Sequence, residues 1–182
     1  MHNHSWTPGA VVGTLAIVVL TLLATAGAAS AGIVAPRAQC AASGNEDAAE
    51  PAQEDAMRCL INYARQHAGG GGVGTDNRLE RAAGRKVGDV VDCGFSHTAC
   101  GNPADLYPRR FGYTAARSFQ FGENLAWGKG KRGSARNVLQ AWLNSPGHRS
   151  TMLHGSFEHL GIGLRTHNGN AFWVLQLGCQ GC

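Results

Sequence analysis

No stretch of this chain limits its backbone more than Ser145-Pro146-Gly147. It follows a helical pattern ending in Ala141-Trp-Leu-Asn144. Proline cannot extend a helix, and the residue before it is driven out of the α region. His148, next in line, is therefore expected at a sharp corner, where an imidazole is aimed into a cleft and not buried in a core. Two further candidates lie upstream: His97 in Cys93-Gly-Phe-Ser-His-Thr-Ala-Cys100, and Glu123 in Phe121-Gly-Glu-Asn-Leu-Ala-Trp-Gly128. Separations of 26 and 25 residues leave no local spacing rule between them. The expectation is tertiary: His97, Glu123 and His148 converge on one polar cleft.

The start of the chain reads as an address. Ala10 to Ala31 carries no charged residue, Val11 to Leu23 is an apolar core, and Ala29-Ser30-Ala31 has the small-x-small pattern of a signal-peptidase site. Residues 1–31 are read as a signal peptide cut after Ala31, although no Lys or Arg precedes the apolar core. An uncleaved membrane anchor is the alternative, since a span needs about 20 residues. The Ala, Gly, Ser and Thr of the second half make a weak span, so secretion without stable membrane insertion is expected.

Every charge lies beyond that cut, so the mature chain keeps the net charge of +4. Glu46, Asp47, Glu50, Glu54 and Asp55 crowd its front, and Lys129, Lys131, Arg132 and Arg136 form a basic cluster further on. Such a cluster suits an anionic cell-wall polymer or a membrane surface, although a solvated loop is the plainer reading. No aromatic residues interleave with it, so no nucleic acid is expected as a partner. Residues 32–53, rich in Ala, Gly, Ser and acid, read as a flexible leader. Residues 54–182 suffice for one compact domain, expected to be a monomer.

Six cysteines downstream of an export signal indicate disulfides more than metal thiolates. Sequence alone does not choose their pairing. Cys93 with Cys100 is the favoured bridge, because the intervening residues include Gly94 and can close a tight loop around His97. Cys179 and Cys182 form a terminal Cys-x-x-Cys that follows a strand-like run. A redox role needs the start of a helix, where the dipole lowers a thiol pKa, so none is expected.

Along the chain, Met57, Leu60, Ile61 and Ala64 give the stripe of a helix over 54–67. Leu79, Ala83, Val87, Val90 and Val91 give a second helix over 77–92, with Arg78, Glu80, Arg81, Arg85 and Lys86 elsewhere on its wheel. Residues 93–118 have no sustained period and read as a long excursion. Phe119 to Trp127 reads as a short strand. Ser134 is the expected N-cap of a third helix carrying Val138, Leu139 and Trp142. One more helical turn is expected at 151–154. Strands at 160–166 and 171–177 follow, joined around Asn168-Gly169-Asn170, a hairpin signal. Helices first and a terminal hairpin later indicate an α+β arrangement.

Two imidazoles and a carboxylate are the ingredients of a divalent-metal site or of general acid–base work. Glu123 lies amid apolar residues, so its charge must reach solvent or find partners. The other histidines read as structural or exposed, His67 closing a helix where a cation suits the dipole. No Gly-x-Ser-x-Gly elbow, His-Glu-x-x-His helix or phosphate loop is present. Ser96 and Ser145 neighbour histidines along the chain, which does not place them together in space.

Phe95-Ser-His97, Gly122-Glu-Asn-Leu-Ala126, Ala141-Trp-Leu-Asn-Ser-Pro-Gly-His-Arg149, Leu160-Gly-Ile-Gly163 and Phe172-Trp-Val-Leu-Gln176 stand in order. In that order and spacing the chain resembles the CAP superfamily of cysteine-rich secretory proteins, antigen 5 and plant pathogenesis-related 1 proteins, most of all its bacterial SCP-like branch. The resemblance runs from about Met57 to Leu177. It implies a three-layer α-β-α sandwich with a central antiparallel sheet, and it makes His97, Glu123 and His148 the matches to three of the family's four cleft positions. At the fourth, animal and plant members carry a second glutamate, and Ser145 stands here instead. The complete acid–base tetrad is therefore absent, while the histidine pair implies a site for a divalent cation such as zinc. With only two protein ligands such a site would be weak and completed by water.

The expectation is thus a secreted binding module whose cleft, lined by His97, Glu123, Ser145 and His148, takes a divalent cation or a small or lipid-like ligand. Its rivals are a metal-assisted, peptidase-like hydrolase acting on extracellular or wall substrates, with Glu123 as base, and a wall-associated interaction protein whose cleft is vestigial.

Overall fold

The structure, a computed structural model, describes residues 32–182. The expected signal peptide 1–31, with His2 and His4, lies outside the described residues. The elements are α1 (Glu50–His67), β1 (Gly74–Thr75), α2 (Asn77–Cys93), α3 (Leu106–Arg110), β2 (Phe119–Lys129), α4 (Ala135–Asn144), α5 (Pro146–Met152), β3 (His159–His167) and β4 (Asn170–Gln180).

Helix α1 buries the expected stripe of Met57, Leu60, Ile61 and Ala64. It starts earlier than expected, at Glu50, with Pro51 in its first turn, where a missing N–H costs nothing. Helix α2 is capped by Asp76, whose carboxylate accepts from Arg78 N at 2.8 Å and Leu79 N at 3.4 Å. Its inner face carries Leu79, Ala83, Val87 and Val90. Lys86, expected on the solvent side, is fully buried on that face as well.

The sheet order is β1-β3-β4-β2, with β3, β4 and β2 antiparallel and β1 adding a two-residue parallel pair to β3. The β3–β4 hairpin turns through Asn168 (φ 50°) and Gly169 (φ 71°), both left-handed, which an Asn-Gly pair adopts at little cost. Side chains alternate across the strands. Trp173, Leu175 and Leu177 join Met57, Leu60, Val138, Leu139 and Trp142 on one face, and Leu125 and Val174 join Ala83, Val87 and Val90 on the other. Helices α1, α4 and α5 therefore cover one face and α2 the other. The result is an α+β, three-layer α-β-α sandwich around a mainly antiparallel sheet.

Three local expectations change. Residues 32–49, read from composition as part of a flexible leader, are laid against the α1–α4 layer: Ile33, Ala35 and Cys40 are buried and Cys40 bridges to Cys59. Arg136 holds this segment by donating from Nη2 to Ala35 O at 2.6 Å and from its backbone N to Ser43 O at 2.7 Å. Ser134 precedes α4 without capping it; its hydroxyl donates to Lys131 O. The corner before His148 is a single extended residue, Ser145, after which Pro146 restarts the chain as α5. Proline's fixed φ suits a first helical position, so His148 sits in the first turn of a short helix.

Gly161 and Gly163 set how closely the layers approach. A Cβ on Gly161 would overlap the carbonyl of Leu79, and one on Gly163 that of Ala83, because the α2 backbone lies directly on β3. Gly161→Ala should therefore destabilise the fold by about 3 kcal/mol or more, read as a lowered midpoint in thermal or denaturant unfolding. A midpoint within experimental error of wild type would show that the two layers can separate freely.

Candidate functional site

His97 is carried on the loop that leaves α2, and three constraints hold it there. A disulfide closes Cys93 to Cys100, as the spacing led one to expect. The buried Lys86 ammonium donates to the carbonyl of His97 at 2.7 Å and to that of Asn102 at 2.8 Å. The ring itself bonds through Nδ1 to Glu123 Oε1 at 2.8 Å.

Glu123 projects from edge strand β2 toward the α2 side, and its side chain is 2% exposed against 53% for that of His97. Its second oxygen, Oε2, accepts from Gln176 Nε2 at 3.0 Å. Gln176 is the register partner of Glu123 on β4 and is itself fully buried. A buried carboxylate is expensive unless its oxygens are hydrogen-bonded, and here both are.

His148 comes from the opposite layer. Its Nδ1 lies 3.0 Å from Ser145 Oγ, and its carbonyl accepts from the buried amide of Asn124 at 2.9 Å. Asn124 is the β2 neighbour of Glu123 and points to the other face, so adjacent residues of one strand reach both histidines. Burial pushes His148 below the ordinary imidazole value, and the charge of His97 pushes in the same direction. Each histidine is thus held at its carbonyl by a buried polar side chain, Lys86 for one and Asn124 for the other.

Lys86, Asn124 and Gln176 were missed as positioning residues. The quoted motifs contain Asn124 and Gln176, but only the strand register shows that they face the two sides of the site. Ser145 lies 3.0 Å from His148 Nδ1, whereas the Ser96 hydroxyl pairs with that of Thr98 at 3.1 Å. Cys179 and Cys182 are bridged to each other. A groove of about 420 Å³ runs between β2 and α5, lined by Gln120, Phe121, Gly122, Thr151, His154 and Phe157 among others, and its lining does not include His97, Glu123 or His148.

A family model for the cysteine-rich secretory protein (CAP) family matches residues 59–177. The Bacillus subtilis (strain 168) protein YkwD is 35% identical over 107 residues, covering 57% of this chain and 39% of that protein. A solved structure of an extracellular SCP-domain protein from Bacillus anthracis aligns with a TM-score of 0.57 at 26% identity, over 70% of this chain and 40% of that one. An outer surface protein of Borrelia burgdorferi aligns with a TM-score of 0.59 at 21% identity, over 68% and 90%, and shows the fold alone. The chain spans about two fifths of the length of the two Bacillus proteins. On the family match, which takes in α2, β2, α4, α5, β3 and most of β4, the chain belongs to the cysteine-rich secretory protein (CAP) family.

Proposed function

We propose that the chain acts outside the cell as a binding module, with His97 and His148 as its ligand-contacting pair. One observation carries this reading: each ring is anchored through Nδ1, to Glu123 and to Ser145, which leaves each Nε2 uncommitted among the described residues. Anchoring one nitrogen fixes the tautomer and aim of the other, as in histidines that ligate metals. Export is supported by the leader reading. The Bacillus anthracis relative is described as extracellular and the Borrelia one as an outer surface protein. Among the described residues no helix is long and apolar enough to cross a membrane.

The donor set fits a weakly held divalent cation such as zinc. It offers two imidazole nitrogens, while both oxygens of Glu123 are engaged. Among the described residues no group of three or more His, Cys, Asp or Glu could hold a metal ion. Durable zinc sites use three or four protein ligands, so His97 and His148 would hold such an ion with water completing its shell, and it would supply a Lewis-acid centre for a ligand oxygen. Phe95, 48% exposed two residues before His97, adds apolar surface for a small or lipid-like ligand. The Glu123 side chain is 2% exposed, so service as a hydrolytic base would require a water to reach a buried carboxylate already bonded at both oxygens, which favours binding over metal-assisted hydrolysis. In the binding reading Glu123 orients His97 through its Nδ1.

Calorimetric titration of zinc should give saturable binding to the wild-type protein and none to the His97→Ala/His148→Ala variant. Undiminished binding in the variant removes the proposed site. Metal-dependent turnover of peptides or wall fragments, lost in the same variant, would establish the hydrolase instead.

The pH dependence has a definite sign. His148 keeps its neutral, ligating form to lower pH than an ordinary histidine, so its share of cation binding should persist below the ordinary imidazole value of about 6.5 and be lost as pH falls through the lowered folded value. The unfolded chain takes up this proton first, so the stability His148 contributes is present above about 6.5 and lost as pH falls through the folded value. Binding that strengthens on acidification would contradict the assignment.

Glu123→Gln keeps an acceptor for His97 but removes the charge behind it. Loss of such an orienting partner costs on the order of 10–100-fold in metal affinity, and the same titration reads it. Equal affinity in the two proteins would leave Glu123 no part in the site.

A further inference from the structure

Away from the histidine pair, a groove of about 390 Å³ is lined by Arg81, Gly84, Arg85, Phe111 and Arg165. Arg81 and Arg85 stand one turn apart on α2, and Arg165 comes from β3. Gly84, between the two helix arginines, leaves open space where a side chain would stand. Three guanidiniums around one opening repel one another unless an anion lies among them.

Among the described residues none of the three has a carboxylate within ion-pair distance. The acids nearest them along the chain or across the fold are committed elsewhere. Asp89, one turn beyond Arg85, accepts from Asn102 at 2.8 Å and from the Tyr107 hydroxyl at 3.1 Å. Glu80, next to Arg81, takes Arg58 and the backbone N of Ile162. Glu54 and Glu50 take the backbone N of Leu164 at 2.8 Å and of Thr166 at 2.5 Å, the residues on either side of Arg165. Arg81 lies over the Phe111 ring at 4.8 Å. Stacking engages the flat face of a guanidinium and leaves its N–H edges for another partner.

We infer that this groove binds a phosphate group. A planar carboxylate is satisfied by one bidentate arginine fork, whereas a tetrahedral phosphate presents oxygens in several directions and can accept from forks that approach from a helix and a strand together. Two sources carry that group, a phosphodiester polymer and free inorganic polyphosphate. The site shares no residue with the histidine pair and stands or falls independently of it.

The test is a titration at low salt with two probes, inorganic tripolyphosphate and poly(glycerol phosphate), with polyglutamate as a carboxylate control. Wild type should bind the phosphate probes saturably. The exposed double substitution Arg85→Gln/Arg165→Gln, shown to be folded by circular dichroism, should weaken binding on the order of tenfold or more. The Lys131→Gln/Arg132→Gln variant of the separate basic cluster should bind as wild type does. Tighter binding of the polymer per phosphate supports the site with a wall-type phosphodiester as ligand, and the reverse order supports it with free polyphosphate. The inference is overturned if neither phosphate probe binds, if the two variants lose affinity equally, or if polyglutamate binds as well as the phosphate probes.

Discussion

A buried arginine holds the end of the site helix in place. Arg65, on the last turn of α1, is 1% exposed, yet a guanidinium has five donors and no acceptor. Four hydrogen bonds take four of those donors: Nε to Gly71 O, Nη1 to Met152 O and His154 O, and Nη2 to Phe157 O, at 2.8–2.9 Å. Burial without a carboxylate lowers its pKa from the ordinary arginine value, as desolvation of a cation must. The acceptors include the carbonyl of Met152, the final residue of α5, and a helix C-terminus has orphan carbonyls that need such a donor. Arg65 thereby ties the turn after α1, the end of α5 and the approach to β3 into one unit. The helix that carries His148 cannot move independently of α1 while those bonds persist.

The edge of the sheet is managed by the same kind of exchange. Strand β1 pairs with only the first two residues of β3, so further along the N–H groups of β3 face outward, an arrangement that invites another strand to pair. Glu80, Glu54 and Glu50 take them in succession at Ile162, Leu164 and Thr166. Glu54 pays for this in desolvation, which raises its pKa, while the bond from Leu164 works against the rise. On the opposite edge the Trp142 indole donates to Leu125 O at 3.0 Å. Glu80, Glu54 and Glu50 are spent on the β3 backbone, and Arg81, Arg85 and Arg165 are left without an ion-pair partner among the described residues, whereas Arg78 pairs with Asp76 at 2.7 Å.

The elements with regular apolar spacing were legible in the chain before any coordinates: both long helices, the stripe of α4, and the terminal hairpin with its Asn-Gly turn. The bridge around His97 and the meeting of His97 with Glu123 were legible too. What escaped was every case in which a charged or polar side chain finds backbone carbonyls distant in sequence. Arg65 and Lys86 look like solvent positions on amphipathic helices, and nothing local shows that a loop will fold over them. The segment 32–49 escaped for a related reason: a few apolar anchors and one disulfide decide its place, and average composition conceals them. Pro146 was read as a stop when it was a start, since the same ring that ends one helix is well suited to begin the next.

The clamps on the site act on the main chain. Lys86 holds the carbonyl of His97 and Asn124 that of His148, so the positions of the two residues are set without reference to what their side chains bind. A frame built this way tolerates change in the remaining cleft side chains. Ser145 stands where animal and plant relatives are said to carry glutamate, and the extended turn, the restart at Pro146 and the bond from Asn124 are all intact around it. A hydroxyl reaches His148 Nδ1 at 3.0 Å, but it brings no second negative charge. In the proposed cleft, serine at this position therefore changes the chemistry offered beside His148. On the binding reading proposed above, two imidazoles with one buried carboxylate bonded at both oxygens would hold a ligand more readily than pass a proton to it.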